Sequence, residues 1–226
     1  MTDNINYKYI VDYIVKTEKE STGILKELED YADKRFIPII QREVKSFLCS
    51  LLEYKRPFRV LEVGTAIGYS SLLFSEFLLP GGEIYTLEKD EKYATIAREN
   101  FKKSGKENVI HLIEGSAEET IKTINKELDI VFLDANKSQY RYYFDTVFPL
   151  LKPGGIIICD NILYKGMTAN DELLPRKHFA IVKNIRDFMD FLCNHPCLTT
   201  SIIPIGDGMT ISVKKYDDKH WEENKW

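Results

Sequence analysis

No stretch of the chain approaches the roughly 18 uninterrupted apolar residues that a membrane span requires. The opening MTDNINYKYIVDYIVKTEKE is interleaved with charge and lacks the apolar core of a signal peptide. A soluble, cytoplasmic protein with no membrane partner is therefore expected. Cysteine is scarce: the four, at 49, 159, 193 and 197, are too few and too scattered for a disulfide framework. Cys193-Asn-His-Pro-Cys197 offers two thiols and one imidazole with no second cluster, which makes a poor zinc site. Reduced thiols packed near a helix end are the better reading. Internal repeats, low-complexity tracts and Pro- or Gly-rich linkers are absent, so collagen-like, coiled-coil and disordered organisations drop out. What remains is one α/β domain of 226 residues, long enough to bury a sizeable core.

A large excess of one charge is also missing. The formal net charge of −4 argues against a general polyanion binder, and no DNA partner is expected. The total hides an uneven distribution. Residues 34–59 hold seven Lys/Arg against two Glu, and residues 161–186 hold five against two acids, while the tail 217–226 is acidic. A locally basic face, and with it an RNA partner, stays open, although basic runs are more often solvated helix faces.

Residues 1–58 read as an N-terminal helical segment packed on the same domain, with Ile10, Tyr13 and Ile14, then Ile24, Leu25 and Leu28, at helical spacing. Pro38 interrupts them by disfavouring a helical Ile37. A further helix spans about 41–54. From Arg59 a strand–helix alternation begins, with near-continuous apolar runs at 59–63, 83–87, 109–113, 129–133 and 155–159. Helical stretches lie between them at 70–79, 91–103, 117–125 and 140–151. A loop at 161–175 leads into a helix at about 176–194, with Phe179, Val182, Ile185, Phe188, Met189 and Leu192 inward. Two last strands, 199–204 and 209–215, flank the turn Gly206-Asp-Gly208. The pattern predicts a doubly wound, Rossmann-like, seven-stranded and mainly parallel sheet over 59–216, closed by an antiparallel pair. Ligands of such sheets sit beyond the carboxyl ends of the strands.

The first strand ends in Val60-Leu-Glu-Val-Gly-Thr-Ala-Ile-Gly-Tyr-Ser70. Gly64 and Gly68 are not spaced as G-x-G-x-x-G, so this is no dinucleotide fingerprint; the turn suits a nucleoside ligand without phosphate. Glu88, ending the second strand, is placed to accept the hydroxyls of a ribose. Asp90 already serves as cap for the following helix. After the third strand, Glu114-Gly-Ser-Ala117 is positioned to meet a base edge. Asp134 follows the fourth strand and Asp160-Asn161 the fifth, two strands that should be neighbours. Carboxylates held that close repel unless one is protonated or a cation lies between them, and this oxygen set suits Mg²⁺. Helix capping explains one Asp but not the trio. An ion there lowers the pKa of a substrate hydroxyl. Lys137 reads equally as a group that takes that proton and as an exposed loop lysine.

Glu62-Val-Gly-Thr-Ala-Ile-Gly-Tyr-Ser70, Glu88, Asp134-Ala-Asn-Lys137, Asp160-Asn161 and Pro204-Ile-Gly-Asp-Gly208 together resemble the metal-dependent class I S-adenosylmethionine O-methyltransferases of the catechol and caffeoyl-CoA type, over about residues 35–215. The resemblance implies a seven-stranded sheet, often in a homodimer. It assigns Glu62, Gly64, Ser70, Glu88, Ser116, Ala117 and Asp134 to the methyl donor and Asp134, Asp160 and Asn161 to the metal, with Lys137 at the position of a catalytic lysine. Within the family, Ile37-Pro-Ile-Ile40, Gly64-Thr-Ala-Ile-Gly-Tyr69, Asp160-Asn-Ile-Leu-Tyr-Lys-Gly166 and Asn194-His-Pro196 are closer to bacterial tRNA 5-hydroxyuridine methyltransferases. That group usually has Met where this chain has Ile40, beside the donor.

That likeness implies methylation of 5-hydroxyuridine at a tRNA wobble position to 5-methoxyuridine, with S-adenosylmethionine and Mg²⁺. Arg35, Arg141, Lys165, Arg176 and Lys177 are the expected phosphate contacts. The alternatives are a small-molecule catechol or hydroxycinnamoyl methyltransferase with the same donor and metal residues, and a non-catalytic donor-sensing RNA-binding module. A nicotinamide dehydrogenase is a poorer fit, for want of G-x-G-x-x-G.

Overall fold

Apolar periodicity becomes secondary structure element by element. The described residues of this computed structural model are 5–216, so the acidic tail at 217–226 lies outside them. In chain order the elements are α1 (Lys8–Thr17), α2 (Gly23–Arg35), α3 (Arg42–Lys55), β1 (Arg59–Val63), α4 (Tyr69–Ser75), β2 (Glu83–Glu88), α5 (Glu91–Lys103), β3 (Ile110–Glu114), α6 (Ala117–Thr120), β4 (Leu128–Leu133), α7 (Tyr140–Val147), β5 (Leu151–Asp160), α8 (Phe179–Asn194), β6 (Leu198–Ile203) and β7 (Met209–Lys214). The sheet order is β3-β2-β1-β4-β5-β7-β6. Residues 8–124 form one compact unit, and residues 5–7 with 125–216 a second.

In the first unit β1, β2 and β3 run parallel, with Val60, Leu61 and Val63 fully buried. Fully burying an aliphatic side chain of this size contributes about 1.5–3 kcal/mol, so such strands need no polar alternation. The N-terminal helices belong to this unit. α2 buries Leu25, Leu28 and Ala32, and α3 buries Val44, Leu48 and Leu52. Between them Phe36 turns left-handed (φ 54°) and residues 37–41 run without helix, as Pro38 requires. α1 buries none of its residues fully, and Tyr13 on its periodic stripe is 70% exposed. α5 starts at Asp90, whose carboxylate accepts the Lys92 and Tyr93 N–H groups, and packs Ala94, Ala97 and Phe101 inward.

In the second unit β4 and β5 are parallel, and β7 then pairs antiparallel with both β5 and β6. The hairpin connecting β6 to β7 contains Gly206-Asp-Gly208, as the turn chemistry predicts. α8 buries Val182, Ile185, Phe188, Met189 and Leu192, but Phe179 is 61% exposed. It is the first α-helical residue, after a 3₁₀ turn at Arg176–His178, and so precedes the buried stripe. Other expected spans shift as well: the helices expected at 70–79 and 117–125 end at Ser75 and Thr120, the second passing into a 3₁₀ turn at Ile121–Thr123. The helix expected to run to 151 leaves α-geometry at Phe148, where Pro149 enters a 3₁₀ turn. β5 begins at Leu151 rather than Gly155, because Leu151 pairs with Leu128 ahead of a register shift, and Pro153 and Gly154 fall between that pair and the continuous pairing from Ile156.

Candidate active site

In residues 8–124 the candidate donor residues cluster at the carboxyl ends of β1 and β2. Glu62 is fully buried, and its carboxylate accepts from the hydroxyls of Ser70, Ser71 and Thr86, the last at 2.6 Å. Thr86 and Thr65 are also hydroxyl-bonded at 2.6 Å. A buried carboxylate is tolerable only with such donors around it. Ser71, Thr65 and Thr86 were not singled out from the sequence; the signal was Ser70-Ser71 at the start of the helix that follows the glycine turn.

The turn itself needs its glycines. Gly68 has φ 84°, and a Cβ there would lie 2.5 Å from the ring of Phe101 on α5. Glu88 tethers the turn from the next strand: one oxygen accepts the Ala66 N–H at 2.8 Å and the other the Asp90 N–H at 2.9 Å. Each oxygen retains a lone pair for a further donor, so the expected ribose role survives this tethering. The Gly115 N–H donates to the Glu88 carbonyl at 2.9 Å, which brings Ser116 and Ala117, at the start of α6, beside the same strand end.

Ile40 stands outside this hydrogen-bonded network. It is buried and lines a cavity of about 380 Å³ with Ile37, Pro38, Ile39, Gln41 and Arg42. The Gln41 Oε1 and Arg42 Nε atoms are buried there without a protein partner. Across the same unit, Tyr69 of the glycine turn donates to Glu29 of α2 at 2.6 Å, and Glu29 also accepts from Ser21 and Lys45.

In residues 125–216 the other predicted residues also come together. Parallel pairing of Leu133 with Cys159 sets Asp134 beside Asp160 at the carboxyl ends of β4 and β5. Burial first, and then the charge of Asp134, push the Asp160 carboxyl up to about 7, against relief from the Asn161 N–H and from Lys137. The Asn161 N–H bonds Asp160 Oδ1 at 2.7 Å, and Asn161 has φ 55°, a left-handed geometry that Asn adopts more readily than most residues. Lys137 Nζ lies 3.7 Å from Asp134 Oδ1 with its side chain mostly covered, so it is no exposed loop lysine. Among the described residues no three His, Cys, Asp or Glu side chains gather as a metal centre. The set here is two carboxylates and one amide. Its all-oxygen chemistry, with one carboxyl strained by burial beside the other, fits a hard divalent cation.

The thiol cluster at 193–197 is not a metal site. Cys193 is exposed while Cys197 is buried, and His195 Nδ1 accepts the Cys197 N–H at 3.2 Å. The basic stretches are partly engaged internally. Lys45, Arg56 and Arg59 pair with Glu29, Glu53 and Glu83, and Lys183 and Arg186 pair with Asp187 and Asp171. Of the expected phosphate contacts, Arg141 pairs with Asp145 and stacks on Phe191, and Arg35 stacks on Tyr31.

A family model described as O-methyltransferase matches residues 15–215. The chain belongs to the S-adenosylmethionine-dependent O-methyltransferases of caffeoyl-CoA and catechol type. It is similar to a caffeoyl-CoA O-methyltransferase of Populus kitakamiensis, 31% identical over 201 residues that cover 83% of this chain and 84% of that one. It is also similar to the O-methyltransferase ankF of Aspergillus thermomutatus, 33% identical over 76% of each chain. Among solved structures, the methyltransferase PaMTH1 of Podospora anserina, bound to S-adenosylhomocysteine, superposes with a TM-score of 0.83 at 31% identity, covering 92% of this chain and 94% of that one. In this O-methyltransferase no described helix is long and apolar enough to cross a membrane.

Proposed function

We propose that this O-methyltransferase moves the methyl group of S-adenosylmethionine to one hydroxyl of a small aromatic acceptor bearing two adjacent hydroxyls, of the catechol or caffeoyl-CoA kind. The observation that carries the reading is the Asp134–Asp160 pair with Asn161 and Lys137 at two adjacent strand ends. Asp134, Asp160 and Asn161 would hold Mg²⁺ or a related cation. Bound there, the cation supplies positive charge that lowers the pKa of an acceptor hydroxyl. The Lys137 ammonium steadies the developing oxyanion, or in its neutral form accepts the hydroxyl proton. Glu62 and Ser70 hold the amino-acid end of the donor, Glu88 accepts from its ribose hydroxyls, and Ser116 and Ala117 meet its base. Ile40 contributes an apolar contact to the donor. In the transfer the carbon–sulfur bond breaks as the carbon–oxygen bond forms, and the donor leaves as a neutral thioether.

The tRNA 5-hydroxyuridine acceptor expected from the closer motif likeness has weaker support. Two of the relatives are named for small-molecule acceptors, and of the five basic residues expected to contact phosphate, Arg35 and Arg141 are engaged in stacking or an ion pair. A homodimer is carried as part of the proposal, supported by the exposed Tyr9, Ile10 and Tyr13 of α1.

The test presents catechol, caffeate, caffeoyl-CoA and hydroxyuridine-containing tRNA together at matched concentrations with donor and Mg²⁺, followed by mass spectrometry of all four. Methylation confined to the catecholic acceptors is expected. Preferential conversion of the tRNA nucleoside overturns the small-molecule reading.

A further inference from the structure

The acid pair is braced by a residue that neither the motifs nor the family likeness assigned. Tyr140, the first residue of α7, is buried to 1% exposure. Its hydroxyl oxygen lies 2.9 Å from the carbonyl oxygen of Leu133 and 3.3 Å from that of Asp160. Leu133 is the last residue of β4, and its carbonyl belongs to the peptide that enters Asp134. Asp160 is the last residue of β5, and its carbonyl belongs to the peptide that enters Asn161. A single O–H, shared between two acceptors, therefore spans the ends of both strands at the peptides that carry the candidate ligands. The same ring lies 5.6 Å from Lys137 Nζ and packs edge-on against Phe188, with centroids 5.7 Å apart. A phenylalanine would fill this volume equally well, so packing alone gives no reason for the hydroxyl.

We propose that Tyr140 is a positioning residue, fixing the spacing of the Asp134 and Asp160 carboxylates and the lie of Lys137, and through them the affinity for the divalent cation. The inference rests on the assignment of Asp134, Asp160 and Asn161 to that cation. The β4–β5 ladder ends at the Leu133–Cys159 pair, one residue short of both candidate carboxylates, while β7 still pairs with Asp160 through Met209. The phenol links the two strand ends beyond that last pair, and without it the end of β4 that carries Asp134 can shift against the end of β5 held by β7, changing the spacing of the carboxylates. Groups that orient ligands in this way change metal affinity by about 10–100-fold when lost.

The experiment compares wild type, Tyr140→Phe and Phe144→Leu, using Mn²⁺ as the probe. Phe144 is buried one turn along the same helix and stacks on Phe148, so its truncation costs stability without touching the strand ends. Mn²⁺ affinity is read by electron paramagnetic resonance, S-adenosylmethionine affinity by calorimetry, folding by circular dichroism, and kcat and KM with catechol. For Tyr140→Phe the Mn²⁺ Kd rises at least tenfold and kcat falls, while the donor Kd stays within twofold of wild type. Phe144→Leu keeps the wild-type Mn²⁺ Kd. Wild-type Mn²⁺ affinity and kcat in Tyr140→Phe would overturn the positioning role alone, leaving the phenol as a core hydrogen bond. Equal weakening in both variants would also overturn it. Absence of Mn²⁺ binding by wild type would overturn the metal assignment, and this inference with it.

Discussion

Glu62→Ala is the most informative single change in the donor half. Glu62 is fully buried and gathers three hydroxyl donors, two of them, on Ser71 and Thr86, fully buried themselves. Truncation leaves those donors facing an empty site. Thr86 re-pairs with Thr65, which it already touches at 2.6 Å. Ser70 and Ser71 have no such neighbour in this network, and an unsatisfied buried polar group costs about 1–3 kcal/mol. Removing the carboxylate also recovers its own desolvation cost, so the net loss is about 3 kcal/mol, a large part of the ~5–15 kcal/mol available to a domain. In thermal unfolding this corresponds to a fall of about 6–12 °C at this chain length. Glu62→Gln keeps one acceptor oxygen and falls by less than half as much. Its donor affinity nonetheless drops about tenfold, the equivalent of one charge-assisted hydrogen bond. Urea unfolding and donor titration measure both. A Glu62→Ala unfolding free energy within about 1 kcal/mol of wild type would refute the view that the hydroxyl shell depends on this carboxylate.

Gly68→Ala combines a left-handed φ of 84° with a Cβ 2.5 Å from Phe101, so a loss of about 2–4 kcal/mol in urea unfolding is expected, together with weaker donor binding. Asp90→Ala removes the acceptor of the Lys92 and Tyr93 N–H groups, costing about 1 kcal/mol in the same assay with donor affinity nearly intact. His195 gives a pH signature. Burial, followed by the charge of Arg141, lowers its pKa from 6.5 to about 4, and Nδ1 is occupied by the Cys197 N–H. The unfolded chain binds this proton below pH 6.5 and the folded chain only near 4. The stability contributed by His195 is thus present above pH 6.5 and lost as pH falls towards 4, at up to about 1.4 kcal/mol per pH unit. Unfolding midpoints of His195→Asn should show a shallower slope than wild type between those values; parallel slopes would exclude the contribution.

Much of this fold is legible in the residues. β1 and α5 occupy the expected spans because a run of four buried residues and an Asp cap leave little choice. Boundaries drifted where local chemistry gave a mixed signal. Pro153-Gly154-Gly155 reads as a break, yet β5 runs through it, since Leu151 already pairs with Leu128 before the register shifts and continuous pairing resumes at Ile156. The two groups of site residues were legible because doubly wound sheets place chemistry at strand ends. What sequence spacing could not convey was pairing across distance. Arg59 with Glu83 and Arg186 with Asp171 engage members of the two basic runs, and Arg141, outside them, stacks on Phe191. Tyr140 was read only as the start of a helix, and its two carbonyl contacts depend on a strand pairing that no local pattern specifies.

The central claim is metal-assisted methyl transfer from S-adenosylmethionine to a catecholic hydroxyl through Asp134, Asp160 and Asn161. Its most direct test uses donor carrying a deuterated methyl group, caffeoyl-CoA as acceptor, and Asp160→Asn beside the wild type, each with Mg²⁺ and with EDTA. The account predicts a deuterated methyl ether from wild type with Mg²⁺ only, at least 100-fold less product from Asp160→Asn, and unchanged donor binding in both. Equal product with EDTA, or full activity in Asp160→Asn, would contradict it.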